Sequence, residues 1–186
     1  MPDIRSMIQT ISNTGLLKPN LFTVSVTFPD ILFPEGTSFA QERNITAALA
    51  SRTSRVTLPE NTLEVYELIS DARMTLPIAR SQGSFPPISF AMILSEDARE
   101  RKYFEDWIKK IHGYENGYSP LFYDNYVSPG VVVSVISNTS ESEIATKFYF
   151  YNAYPISVGD VELAYEENDT YTVCTITMNY ESWNRA

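Results

Sequence analysis

Two stretches of the chain alternate strictly between apolar and polar positions, and they predict strands with one face in a core. From Leu21 to Phe28, Phe22, Val24, Val26 and Phe28 fall on one face and Thr23, Ser25 and Thr27 on the other. Near the C-terminus, Cys174, Ile176, Met178 and Tyr180 alternate with Val173, Thr175, Thr177 and Asn179. Ile88 to Leu94 is apolar on both parities, as expected of a strand covered on both sides. Shorter strands are predicted at Arg55–Leu58, Leu63–Ile69, Arg73–Ile78 after a Ser70-Asp71 turn, Leu121–Tyr123, Val131–Ile136 and Lys147–Tyr151. One segment has the helical period instead. Between about 95 and 112, Tyr103, Phe104, Trp107, Ile108 and Ile111 form a single stripe. Ser95 offers a cap, Glu96 and Asp97 suit the first turn, Lys109 and Lys110 suit the last, and Gly113 ends the helix.

The remaining chain is less regular. Residues 1–17 read as an N-terminal arm, and residues 30–52 as an extended loop or insertion with a brief helix over Glu42–Leu49. Arg80–Ser84, Tyr114–Pro120 and Ser137–Glu143 read as loops. In the last quarter, Tyr154-Pro155-Ile156-Ser157-Val158-Gly159 reads as a turn joining two strands, and Glu166–Asp169 as an acidic turn. The fold class that follows is mainly β: one domain over 1–186, an antiparallel β-sandwich or barrel with one packed α-helix.

Composition agrees with this reading. Of 186 residues, 44% are hydrophobic and 13% aromatic, enough for one sizeable core rich in rings that suit strands. The formal net charge of −9 argues against a protein that grips nucleic acid, because such affinity comes mainly from Lys and Arg replacing phosphate counterions. No run approaches a membrane span, and none at the start resembles a signal peptide, so the Asn-x-Ser/Thr sequons at Asn44, Asn138 and Asn168 are read as chance.

Candidate chemistry is sparse. His112 is the sole His and Cys174 the sole Cys, which removes two-His metal motifs, cysteine-built zinc sites and intrachain disulfides. The parity of Cys174 points inward, as for a small core residue. Glu96-Asp97, Glu105-Asp106 and Glu166-Glu167 are adjacent pairs whose side chains diverge, so they read as solvated surface. Phosphate-binding, dinucleotide and nucleophile-elbow motifs are missing. No enzyme, metal or cofactor is therefore expected.

Three segments, in this order, carry a resemblance. Lys18-Pro19-Asn20-Leu21-Phe22 leads into the first strand, and Phe104-Glu105-Asp106-Trp107 lies on the helix. Tyr154-Pro155-Ile156-Ser157-Val158-Gly159 is followed by strands that close on Trp183. Together they resemble the tail tube proteins of contractile-tailed bacteriophages. The resemblance implies a structural virion protein in which hexameric rings stack into a tube, inner strands of all copies joining one barrel around a lumen. It implies the sheath, tape-measure, baseplate and tail-terminator proteins as partners, and DNA that crosses the lumen without specific binding. Membrane insertion is not implied; the place is the virion tail, assembled in the bacterial host cytoplasm. The hydroxyl-rich faces Thr23-Ser25-Thr27 and Thr175-Thr177-Asn179 are lumen candidates, and the arm and residues 30–52 are candidates for ring-to-ring contacts. The same fold would serve a baseplate or tube-terminating paralogue, or the tube of a phage-derived injection particle or type VI system. From another class, a monomeric β-barrel could hold a small ligand among the many Tyr and Phe.

Overall fold

The computed structural model describes Ile4 and residues 17–33, 39–69, 75–80, 85–113, 121–137, 144–164 and 171–186. Most of the expected arm, the Ser70-Asp71 turn, the 114–120 loop, residues 138–143 and the Glu166–Asp169 turn lie outside them.

Strands β1 (Phe22–Val26), β6 (Val131–Ile136), β7 (Ile144–Tyr151) and β10 (Ser182–Arg185) form one antiparallel sheet in the order β1-β6-β7-β10. Strands β2 (Thr53–Thr57), β5 (Ile88–Ile93), β8 (Tyr154–Val158) and β9 (Val173–Asn179) form a second, ordered β2-β5-β9-β8. Between β2 and β5 in the chain, β3 (Glu64–Ile69) and β4 (Thr75–Arg80) pair, among the described residues, only with each other.

The alternation seen in the sequence builds the core. Val24, Val26, Val131, Val133 and Phe150 come inward from the first sheet, and Ile88, Phe90, Met92, Cys174, Ile176 and Met178 from the second. The amphipathic helix, here α2 (Arg99–His112), closes this sandwich with Phe104 and Trp107. Both of these rings lie 5.6 Å from Phe28, and Phe104 lies 5.9 Å from Phe90. Gly113 ends the helix in the left-handed region (φ 69°), with its N–H donating to the Lys110 carbonyl. The start differs from expectation: Ser95 does not cap it, and the helix begins at Arg99 after Ala98 (φ 47°). Ser95 instead donates both its N–H and its hydroxyl to the Glu100 carboxylate.

Three further expectations are corrected. Residues 39–52 are not a loop: a 3-10 turn lies at Asp30–Leu32, and helix α1 (Phe39–Arg52) contains and outruns the brief helix expected over Glu42–Leu49, so a second long helix packs on the sandwich. Its Leu49 is buried in the core, and the Thr46 hydroxyl donates to the Val26 carbonyl of β1 at 3.4 Å. Leu49 and Ile45 are the described side chains of this helix that reach the core, too few to mark an apolar face by their period. Tyr154–Val158 is not a turn but strand β8, with a bulge between Pro155 and Ser157 and Gly159 just past its end. Pro155 is tolerated because β8 is an edge strand, where a missing N–H need not break a ladder. The reversal comes earlier, at Asn152 (φ 51°), where the chain leaves one sheet for the other. Finally, Leu121–Tyr123 is not a strand; Tyr123–Tyr126 forms a short helix, α3.

Candidate assembly surfaces

Of the motif residues singled out in the sequence, Phe104 and Trp107 are in the core and Phe22 and Trp183 pack against it, whereas Lys18, Pro19 and Asn20 are exposed. Lys18, Pro19 and Asn20 form an exposed turn, with the Leu21 N–H donating to the Lys18 carbonyl at 3.4 Å, and Phe22 then packs against the core. Fully buried Trp107 donates its indole N–H to the Tyr126 carbonyl at 2.8 Å, so α2 pins α3. Tyr154 meets Tyr123 and Tyr126 edge-on at 6.2 and 5.6 Å, which brings the helix motif and the start of β8 into one cluster. Pro155 is buried and Val158 half-buried. Trp183 stacks on Phe150 at 6.4 Å, away from that cluster.

Gly159 is confined by backbone. A methyl group there would lie 2.8 Å from the Thr175 carbonyl oxygen, so only glycine fits. Its N–H donates to that oxygen at 2.7 Å, and its own carbonyl accepts from Arg101 Nη1 at 3.0 Å. Ser128 was not singled out by the sequence. It is fully buried, its hydroxyl donates to the Thr27 carbonyl and accepts from the Gly130 N–H at 3.1 Å, and its N–H donates to the Ala153 carbonyl. No apolar period marks it, because its role is to satisfy strand ends that meet only in the fold.

The titratable groups are structural too. Cys174 is fully buried; burial pushes its thiol pKa up, so the thiolate is disfavoured, whereas His112 is exposed at the helix end. Glu100, 5% exposed, accepts from Ser95 and pairs with Arg52 Nε at 3.2 Å, joining α1 to α2. Burial pushes its pKa up, but the Ser95 hydrogen bonds and the Arg52 charge outweigh this and hold it below the ordinary carboxylate value. Among the described residues, no group of three or more His, Cys, Asp or Glu could hold a metal ion. No described helix is long and apolar enough to cross a membrane. Phe28, Phe90, Phe104 and Trp107 pack on one another in the core, and Phe150 packs on Tyr180 and Trp183.

Two surface features remain. The β3–β4 hairpin exposes Val65 (65%), Tyr66 (58%), Leu68 (46%) and Ile78 (48%). An isolated two-stranded hairpin is marginal in water, and apolar exposure of this kind marks an interaction surface. The second feature is the pair of outer sheet faces. Thr23 and Ser25 lie outside the first sheet and Thr175 and Thr177 outside the second, so the two lumen candidates face away from each other. Thr27 lies past the end of β1, and Asn179 donates to the Tyr154 hydroxyl at 3.1 Å. Registers place Thr57 beside Ser89, Ser89 beside Thr177, and Thr177 beside Ser157, one hydroxyl row across all four strands of the second sheet. The neighbouring row is Arg55, Ala91, Thr175 and Gly159. The outer face of the first sheet is bulkier, with Ser25 beside Val132, Tyr149 and Asn184, and Thr23 beside Ser134 and Lys147.

Residues 17–186 match the family model described as phage tail tube protein. No curated protein matches the sequence. Among solved structures, the chain is similar to one in the PVC sheath/tube terminator of an extracellular contractile injection system in the extended state. That match has a TM-score of 0.62 at 15% identity and covers 92% of this chain and 96% of the other. It is similar to a chain of the PVC sheath-tube complex in the extended state, with a TM-score of 0.62 at 14% identity over 96% of each chain. It is also similar to the tube-terminating cap of the anti-feeding prophage, with a TM-score of 0.63 at 10% identity, covering 92% of this chain and 91% of that one.

Proposed function

We propose, from the premise that this chain belongs to the phage tail tube protein family, that it is a structural subunit whose hexameric rings stack into the inner tube of a contractile tail. The β3–β4 hairpin carries this reading. Its exposed Val65, Tyr66, Leu68 and Ile78 find cover in a second copy, which converts a hairpin of marginal stability into a ring-to-ring tie. The open sheet edges point the same way, since pairing them with neighbours satisfies backbone groups that a monomer leaves to water. The tube is the conduit for DNA at ejection, filled beforehand by a tape-measure protein, surrounded by a sheath, nucleated by a baseplate and closed by a terminator. Its work is mechanical. The site-pattern residues from Phe104 to Trp183 serve it by holding each subunit rigid.

Negative-stain electron microscopy of the purified chain over a concentration series tests this. Hollow tubes are expected from the native chain, and none from a variant with Val65→Glu and Leu68→Glu. Exposed substitutions of this kind change subunit stability by only about 0.5 kcal/mol, so the variant should stay folded. Tubes of normal length from the double variant would remove the hairpin from assembly. Single rings that never stack would point to a tube-terminating subunit. Monomers at every concentration, with a melting temperature raised by small apolar ligands, would favour the ligand-binding alternative.

A further inference from the structure

Resting on the tube reading, we infer that the β3–β4 hairpin of one copy seats in an apolar groove at the opposite end of the β2-β5-β9-β8 sheet of the next copy, so that every copy is both plug and socket. The hairpin leaves this sheet where β2 ends at Thr57 and β5 begins at Ile88. The groove lies at the other end, where β5 stops at Ile93 and Val173 of β9 stands beside it. The six residues of β5 set the two ends about 17 Å apart. Ile93, Leu94, Val161, Leu163 and Tyr171 line the groove, whose volume is about 950 Å³. Leu163 and Tyr171 are 83% and 79% exposed, and Val173 at its margin is 43% exposed. The groove is built in advance: Arg101 of α2 donates Nη1 to the Gly159 carbonyl at 3.0 Å and pairs with Glu105 at 2.6 Å, which ties the segment leading to Val161 and Leu163 to the helix.

The occupant follows from chemistry and placement. Register sets Tyr66 opposite Ile78 and puts Leu68 on the same face, while Glu67 falls on the other; the charged pair Glu64 and Arg80 stands at the base. The middle of the Tyr66, Leu68 and Ile78 face is therefore uncharged, and burying it strands no ion. Groove and hairpin are both apolar and both exposed within one copy, so neither covers the other in the same chain. Two different patches that fit each other make a heterologous contact, in which each copy gives one hairpin and receives one, and the contact repeats without closing when successive copies are related by a step along an axis. Placing the two patches at opposite ends of one sheet supplies that step. Hairpin packed on hairpin would instead be self-complementary and would stop at two rings.

The test uses assembled tubes of a chain carrying both Leu68→Cys and Leu163→Cys; native Cys174 is buried, and unsubstituted tubes give the blank. A short bismaleimide should convert this chain into a covalent ladder that continues past the size of one ring, and tubes of either single variant should give at least tenfold less cross-linked product. Charge substitution gives an independent reading. Leu163→Glu with Tyr171→Glu should abolish tubes, as Val65→Glu with Leu68→Glu should, and mixing these two variants should restore a single junction, seen as doubled rings that grow no further. A ladder that ends at one ring would place the contact inside the ring and overturn head-to-tail stacking. Dimers from Leu68→Cys alone would show hairpin on hairpin and overturn the plug and socket. Thiols that react at both positions without forming a ladder, or normal tubes from the groove variant, would overturn the groove as the seat. Failure of the unsubstituted chain to form any tube would remove the tube reading itself, a different result from a missing ladder in tubes that do form.

Discussion

Replacing Gly159 by Ala puts one methyl group where the fold has no space. The new Cβ would lie 2.8 Å from the Thr175 oxygen, 3.3 Å from the Thr175 nitrogen and 3.4 Å from its Cβ. The obstacle is backbone of β9, an inner strand held by β5 on one side and β8 on the other, so it cannot yield as a side-chain tip would. Gly159 must move instead. That stretches its 2.7 Å hydrogen bond to Thr175 and draws its carbonyl away from Arg101 of α2. Overpacking of this kind costs about 1–3 kcal/mol. Each kcal/mol shifts the midpoint of a domain this size by about 2–4 °C, so thermal unfolding followed by circular dichroism should show a drop of about 2–12 °C. Gly130→Ala is the internal control. Its Cβ would meet the Phe150 carbonyl oxygen at 3.5 Å, an ordinary contact, and the stiffer unfolded chain offsets small losses. A Gly159→Ala midpoint within about 1 °C of the parent, or a Gly130→Ala loss of equal size, would refute steric exclusion by β9 as the reason for the glycine.

Other perturbations have defined outcomes. Trp107→Phe removes the indole donor to the Tyr126 carbonyl and should cost about 1–3 kcal/mol, read as a lower denaturant midpoint at unchanged slope. Because the pKa of Glu100 is lower in the folded state, its contribution is present above its ordinary value of 4.5 and is lost as pH falls through the folded value. Glu100→Gln should therefore flatten the acid limb of stability against pH below 4.5. Tyr180 has the opposite sign: burial pushes its pKa up from 10.0 to about 12, so its contribution is present below 10.0 and is lost as pH rises through that window. Tyr180→Phe should remove that alkaline loss while lowering stability at neutral pH by about 1 kcal/mol, through the hydrogen bond to the Pro86 carbonyl.

The sequence by itself determined which face of β1 and β9 enters the core and which stripe of α2 packs, because a side-chain period of 2 or 3.6 is a local property that solvent reads directly. It also determined the inward place of Cys174. What lay beyond it depended on contacts between distant segments. Helix α1 reaches the core through Leu49 and Ile45, too weak an apolar stripe to mark a face. Pro155 signals a turn until β8 proves to be an edge, a fact that depends on which strand lies beside it. Ser128 looks like any loop serine until the ends of β1 and β6 meet around it. The hairpin's isolation and the Thr57-Ser89-Thr177-Ser157 row exist only through register. Alternation says that a residue faces outward, but pairing across more than a hundred positions of chain decides which outward residues stand together, and tertiary structure alone sets that pairing.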